Sequence, residues 1–209
     1  MLVIDNQWAN SMSSPKQIER NKIIFIGGAH NVGKSTALEE LKKLYRNEET
    51  RVNIVHMSEI LHNASMKKYS MSIVELNEDS IKRDTLQLEV VSSLRGLNFA
   101  FTLLDGHYIT TNTQGGIGPS YNTDVNYLIK FDAQVVLIAK PEEILARRIK
   151  KNQGIWSINL DSIRQEQDME ISEANRIGRM FNTPVYAIED NEPKDTAKAI
   201  CKLLKIPNT

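Results

Sequence analysis

Gly28-Ala29-His30-Asn31-Val32-Gly33-Lys34-Ser35, followed by Thr36, has the form G-x-x-x-x-G-K-S. Residues of these types at this spacing suit one task, the cradling of a polyphosphate. Gly28 and Gly33 let the backbone turn tightly, so that successive N–H groups point inward at phosphate oxygens. A helix starting at the end of the run would add its positive N-terminal end to the same spot. Lys34 supplies a mobile cation for the β- and γ-phosphates of a nucleoside triphosphate. The Ser35 hydroxyl can ligate Mg²⁺, which prefers octahedral oxygen coordination and keeps several waters. Asn31, at the tip, has two readings: a contact to bridging phosphate oxygens, or simple tolerance of the turn. His30 stands at the mouth.

Further residues could complete such a site. Asp105 ends the apolar run Phe99-Ala100-Phe101-Thr102-Leu103-Leu104, the pattern of a strand whose terminal acid orients the water shell of Mg²⁺. His107 follows, as a substrate contact or a half-exposed loop residue. Residues Thr110 to Thr123 include Gly115, Gly116, Gly118 and Pro119, which suit either a substrate flap or a plain surface loop. Arg147 and Arg148 open a basic run ending in Lys150 and Lys151. That run reads as a solvated helix end favoured by the helix dipole, or as the source of an arginine that clamps a migrating phosphoryl group. Lys82 and Arg83 read as a solvated helix face, with contact to an acceptor phosphate as the other option. Ile155 and Trp156 would mark the tip of a short lid or an anchor for a second copy.

These residues need a scaffold, and the chain alternates strand and helix signals from Lys22 onward. Apolar runs predict strands at Ile23–Ile26, Val52–Met57, Phe99–Asp105, Ala133–Ala139 and Pro184–Ile188. Helical spacing covers Thr36–Arg46, Asp79–Arg95, Pro141–Lys151 with proline in its first turn, Asp161–Phe181 and Lys194–Lys205. The long helix sets Ile171, Ala174, Ile177, Met180 and Phe181 on one side. Such alternation implies a parallel sheet with helices on both faces, a three-layer αβα arrangement, and ligands bound beyond the carboxyl ends of the strands. Residues 1–21 form a polar tail or accessory segment. Residues 22–209 form one domain with a short lid at about 150–160.

Composition narrows the classes. Lysine plus arginine and aspartate plus glutamate both total 26, which gives no support for a nucleic-acid face. No apolar run reaches membrane-span length, and Asp5, Asn6 and Gln7 interrupt the start of any signal-like stretch. The single cysteine, Cys201, shares a stripe with Ala197, Ile200 and Leu204 and reads as a buried thiol. A cytoplasmic protein is expected, with self-association through Ile155 and Trp156 as an option.

The phosphate loop, Asp105-Gly106-His107, the apolar strand leading into Pro141-Glu142-Glu143-Ile144 and Arg147, and Leu86-Gln87 together carry a family resemblance. From Ile23 to about Leu204 the chain resembles the P-loop nucleoside monophosphate kinases, in particular the archaeal-type adenylate kinases. The resemblance implies a P-loop NTPase fold with a five-stranded parallel sheet, ATP and Mg²⁺ as ligands, and γ-phosphoryl transfer to a nucleoside monophosphate or another small acceptor. It implies that Gly28, Ala29, His30, Asn31, Val32, Gly33, Lys34, Ser35 and Thr36 hold the nucleotide and that Ser35 and Asp105 serve the metal. Lys34, Asp105 and Arg147 would carry catalysis, with Arg147 near the ATP base or phosphates. Base contacts would fall at about Glu189 to Glu192.

Two departures stand out. The family's lid carries an Arg-x-Arg pair, and Asn152 to Ser157 contains no arginine. Its arginine for the acceptor phosphate has Leu76 at the comparable position. The leading expectation is a nucleotide kinase. The alternatives are an ATP-binding switch or slow ATPase acting on a protein partner, and a relative that binds nucleotide only for stability.

Overall fold

The computed structural model describes residues 21–45, 52–94, 96–111, 117–120, 130–151, 158–190 and 192–206. In chain order these form β1 (Lys22–Gly27), α1 (Lys34–Leu44), β2 (Val52–His56), α2 (Met57–Tyr69), α3 (Ile73–Glu78) and α4 (Ser80–Leu94). There follow β3 (Phe101–Asp105), β4 (Ile109–Thr111), β5 (Ile117–Pro119), β6 (Ala133–Ile138), α5 (Pro141–Lys151), α6 (Leu160–Phe181), β7 (Val185–Glu189) and α7 (Pro193–Leu204). The expected elements are all present, shifted by a residue or two at their ends. Helices α2 and α3 and the β4–β5 hairpin are additions. The tail 1–20, the lid centre 152–157 with Ile155 and Trp156, and Gly115 and Gly116 lie outside the described residues.

Five parallel strands form one sheet in the order β2-β3-β1-β6-β7. Strands buried on both faces read as continuous apolar runs, and Ile23-Ile24-Phe25-Ile26 in the central strand illustrates why. Ile24 and Ile26 point to a core with Leu38, Leu41 and Tyr45 of the α1 side, Ile144 of α5, and Ala197, Ile200 and Cys201 of α7. Ile23 and Phe25 point to the opposite core, with Leu61, Leu76, Leu86 and Val91 from α2 to α4 and Ala174 and Ile177 from α6. The three layers follow from that alternation. One expectation for the flanks needs correction. Met180 is half exposed rather than packed with Ile171, Ala174 and Ile177; it lies in the last turn of α6, one residue before the helix ends at Phe181 and the left-handed Asn182. Cys201 is buried as expected, and burial raises its thiol pKa. Among the described residues no helix is long and apolar enough to cross a membrane.

Candidate functional site

The loop between β1 and α1 lies at the carboxyl edge of the sheet. Gly28 has φ 135°, and a Cβ there would come within 2.4 Å of the Leu137 carbonyl oxygen. Gly33 has φ 122°, and its Cβ would meet the Asp190 carboxylate at 2.6 Å. Asn31 adopts φ 66°, which asparagine tolerates better than most residues. Helix α1 has no side-chain cap at Gly33 and no acid in its first turn. Its leading N–H groups are therefore left for a ligand, and no acid in the helix's own first turn opposes an anion. The Asn31 Nδ2 is buried in the cleft wall with no partner among the described residues. Lys34 is only 7% exposed and donates to the Gly28 carbonyl at 2.7 Å. Burial lowers its pKa, against the pull of Asp105, Glu170 and Glu166. Ser35 and Thr36 are exposed and line the cleft.

Asp105 ends β3 beside Ile26, and its Oδ2 bonds His56 Nδ1 at 2.8 Å. His56 closes β2 and is a partner that the sequence reading missed. Among the described residues no group of three His, Cys, Asp or Glu side chains is arranged for a metal. A divalent ion held between Ser35 and Asp105 would thus draw its remaining oxygens from water and from the nucleotide.

Arg147 reaches across from α5 to Asp190 at 2.9 Å and donates to the Val32 carbonyl. Arg148 corrects the picture of a solvated helix end. It is 4% exposed, donates to the His30 carbonyl at 3.0 Å and pairs with Glu166 at 2.6 Å. Asp190 also accepts from Thr196 in α7. Lys150 and Lys151 do reach solvent, at the rim of the cleft.

Helix α6 supplies the largest part of the site that the sequence reading missed. Asn159 caps it by accepting from the Asp161 and Ser162 amides, which aims one face at the phosphate loop. Glu166 Oε1 accepts from both the amide and the Nδ1 of His30 at 2.8 Å. One turn on, Glu170 Oε2 accepts from the amides of Gly28 at 3.1 Å and Tyr108 at 2.9 Å. Between them, Gln167 accepts from the Ala139 amide. The Glu166 carboxyl would rise on burial, but hydrogen bonds from His30 and Arg148 outweigh this and hold it at about 2. Glu170 is fully buried, and burial pushes it up to about 7. His30 does not stand free at the mouth; it stacks on His107. Burial lowers the pKa of both imidazoles, His107 more strongly, with Lys34 adding to the effect.

The loop opens into a cleft of about 890 Å³ whose far side is formed by α2, α3, α4 and the β4–β5 hairpin. Arg83 lines it, with a side chain only 16% exposed and a long contact of 3.4 Å to Asp84. The solvated-face reading therefore holds for Lys82, paired to Asp79 and 43% exposed, but not for Arg83. Leu76 is buried in the core.

This architecture is the P-loop NTPase fold in its kinase form. Shikimate kinase from Acinetobacter baumannii, solved with shikimate, superposes with a TM-score of 0.53 at 18% identity, covering 90% of this chain and 95% of that one. The tunicamycin resistance protein of Deinococcus radiodurans gives 0.54 at 15% identity, covering 91% of this chain and 99% of that one. The chain belongs to the AAA domain family, which it matches over residues 27–164.

Proposed function

We propose that the protein is an ATP-dependent phosphotransferase of the nucleotide kinase type, similar to archaeal-type adenylate kinases, acting on a nucleoside monophosphate. One observation carries the reading: the phosphate loop and Arg83 open into the same cleft. A triphosphate donor at one end and an anionic acceptor at the other would then face each other. The uncapped α1, the unpartnered Asn31 Nδ2 and the buried Lys34 fit a polyphosphate. When bound, Mg²⁺ screens the phosphate charge and ATP supplies the γ-phosphoryl group. The chain's own work is positioning. Lys34 neutralises the outer phosphates, Ser35 and Asp105 orient the metal and its waters, and Arg147 fixes the loop through Val32 and Asp190. Arg83 fixes the acceptor anion. Removing bulk water from the cleft keeps hydrolysis from competing.

The test is ADP release from Mg·ATP with AMP, CMP, UMP, GMP and dTMP offered separately, wild type beside Lys34→Ala. Fast release with one acceptor, lost in the variant, supports the reading. Absence of stimulation by any small acceptor overturns it.

A second reading, an ATP-binding switch acting on a protein partner, draws support from the arginines of α5. Both guanidinium groups are engaged by the protein itself, Arg147 by Asp190 and Arg148 by Glu166. Turnover that stays negligible with every small acceptor yet rises with a protein partner would favour it.

A further inference from the structure

Gly28, the first residue of the phosphate loop, is held from two sides. Its amide donates to Glu170 Oε2 at 3.1 Å, and its carbonyl accepts from Lys34 Nζ at 2.7 Å. The same Glu170 oxygen takes the Tyr108 amide at 2.9 Å, and Oε1 lies 3.3 Å from His107 Nδ1. Glu170 is fully buried, and Lys34 of α1 is the cation whose charge favours its ionised form. Glu166, one turn back on α6, opposes that form as a like charge, while Arg148 of α5 is engaged by Glu166. The carboxylate that anchors the loop thus depends on the same lysine that a phosphate would engage.

Resting on the reading of this loop as a nucleotide site, we infer that Glu170 is a positioning residue whose carboxyl takes up one proton as the nucleotide binds. The phosphates engage the Lys34 ammonium and add negative charge of their own near a carboxylate buried from water. A neutral acid in that place relieves the repulsion. The proton comes from solvent and bonds to Oε1, and nothing is oxidised or reduced. Oε2 keeps both amides, because a neutral carboxyl still accepts through its carbonyl oxygen. The new O–H faces His107 Nδ1, which accepts in the tautomer that carries its proton on Nε2. Burial prepares the group for this change by holding it at about 7, poised between its two forms in neutral solution. The loop keeps its anchor while the anchor loses its charge.

Calorimetric titration with Mg·ATP in buffers of different ionisation enthalpy counts the protons exchanged on binding. The wild type is expected to take up about half a proton at pH 7 and nearly one by about pH 8.5. By the same linkage, its affinity should weaken by up to about tenfold per pH unit over that range. Glu170→Gln presents a neutral side chain at every pH, with an oxygen for the two amides and a nitrogen toward His107. It should take up about half a proton less at pH 7 and bind Mg·ATP about tenfold more tightly than wild type by about pH 8.5. A residue that merely held the fold together would weaken binding in the variant, and that result would overturn the inference. Infrared difference spectra of the wild type keep the question open to test if the variant does not fold. Adding Mg·ATP should produce a protonated-carboxyl band that shifts when the glutamates are isotopically labelled. Uptake unchanged in Glu170→Gln would assign the proton to Lys34 and overturn the inference, as would an absent carboxyl band. Absence of Mg·ATP binding at every pH would sink the nucleotide reading as well. Linked uptake without phosphoryl transfer to any acceptor would remove the kinase reading and keep this one.

Discussion

The rings of His30 and His107 stack with centroids 3.8 Å apart and planes 16° from parallel. His30 belongs to the phosphate loop and His107 to the segment after β3, so the stack ties the two edges of the candidate site together. Burial keeps both rings toward the neutral form, which allows the faces to meet without like-charge repulsion. Behind them, Glu166 and Glu170 sit one turn apart on α6 with opposite electrostatic characters.

The two carboxyls predict a stability profile with opposite slopes. Glu170, raised from 4.5 to about 7, stabilises the fold fully below pH 4.5, and that contribution is lost as pH rises through 7. Over this window the loss is on the order of 3 kcal/mol, or roughly 5–10 °C in melting temperature for a chain of this size. Glu166, lowered from 4.5 to about 2, stabilises above pH 4.5, and its contribution is lost as pH falls through 2. Thermal melts of Glu170→Gln between pH 5 and 8 should show a flatter profile than wild type. Parallel profiles would rule out this assignment.

Arg148→Ala leaves the half-buried Glu166 without its guanidinium and removes a donor from the His30 carbonyl. Breaking a buried pair by removing one partner costs about 3–5 kcal/mol. Arg148→Lys should recover only part, because an ammonium cannot match the fork that spans both groups. Urea unfolding measures both, and a loss below about 1 kcal/mol for the alanine variant would contradict the role given to the pair.

Gly33→Ala places a methyl group against Asp190 in a backbone conformation with φ 122°. Strain of that kind costs about 1–3 kcal/mol, and the loop must move to relieve it. Calorimetry with Mg·ATP should give an affinity at least tenfold weaker than wild type. An unchanged affinity would mean that the loop geometry is not what binds the nucleotide.

Asp105→Asn should raise the Mg²⁺ concentration needed for half-maximal ATP turnover by about tenfold or more, and His56→Ala should shift it in the same direction by less. Groups that orient a metal's ligands typically matter by about 10–100-fold. Metal titrations that coincide for all three proteins would remove Asp105 from the metal site.

The parts of this protein readable in the sequence are those with short-range signatures. Gly28 to Ser35 is contiguous, and the central strands announce themselves because both of their faces are buried. Helix α2 escaped because its buried residues form only the thin line Met57, Leu61 and Ser65 in an otherwise polar segment. Helix α3 carries a legible start, the capping box of Ser72 and Glu75. The α6 carboxylates were hidden by distance: Glu170 meets Gly28 across 142 residues of chain, Glu166 meets His30 across 136. One clue was present. Gln167 and Glu170 continue the stripe of Ile163, Ala174 and Ile177, and polar residues on a buried stripe call for partners. Arg83 misled because its neighbour Lys82 does face water.

Four backbone amides, those of Gly28, His30, Tyr108 and Ala139, donate to side chains of α6. None of the four can exchange its proton with solvent freely while that helix stays docked. Deuterium uptake at these scattered positions should therefore occur together, at the rate at which α6 lifts from the sheet, and occupancy of the phosphate loop should slow all four at once.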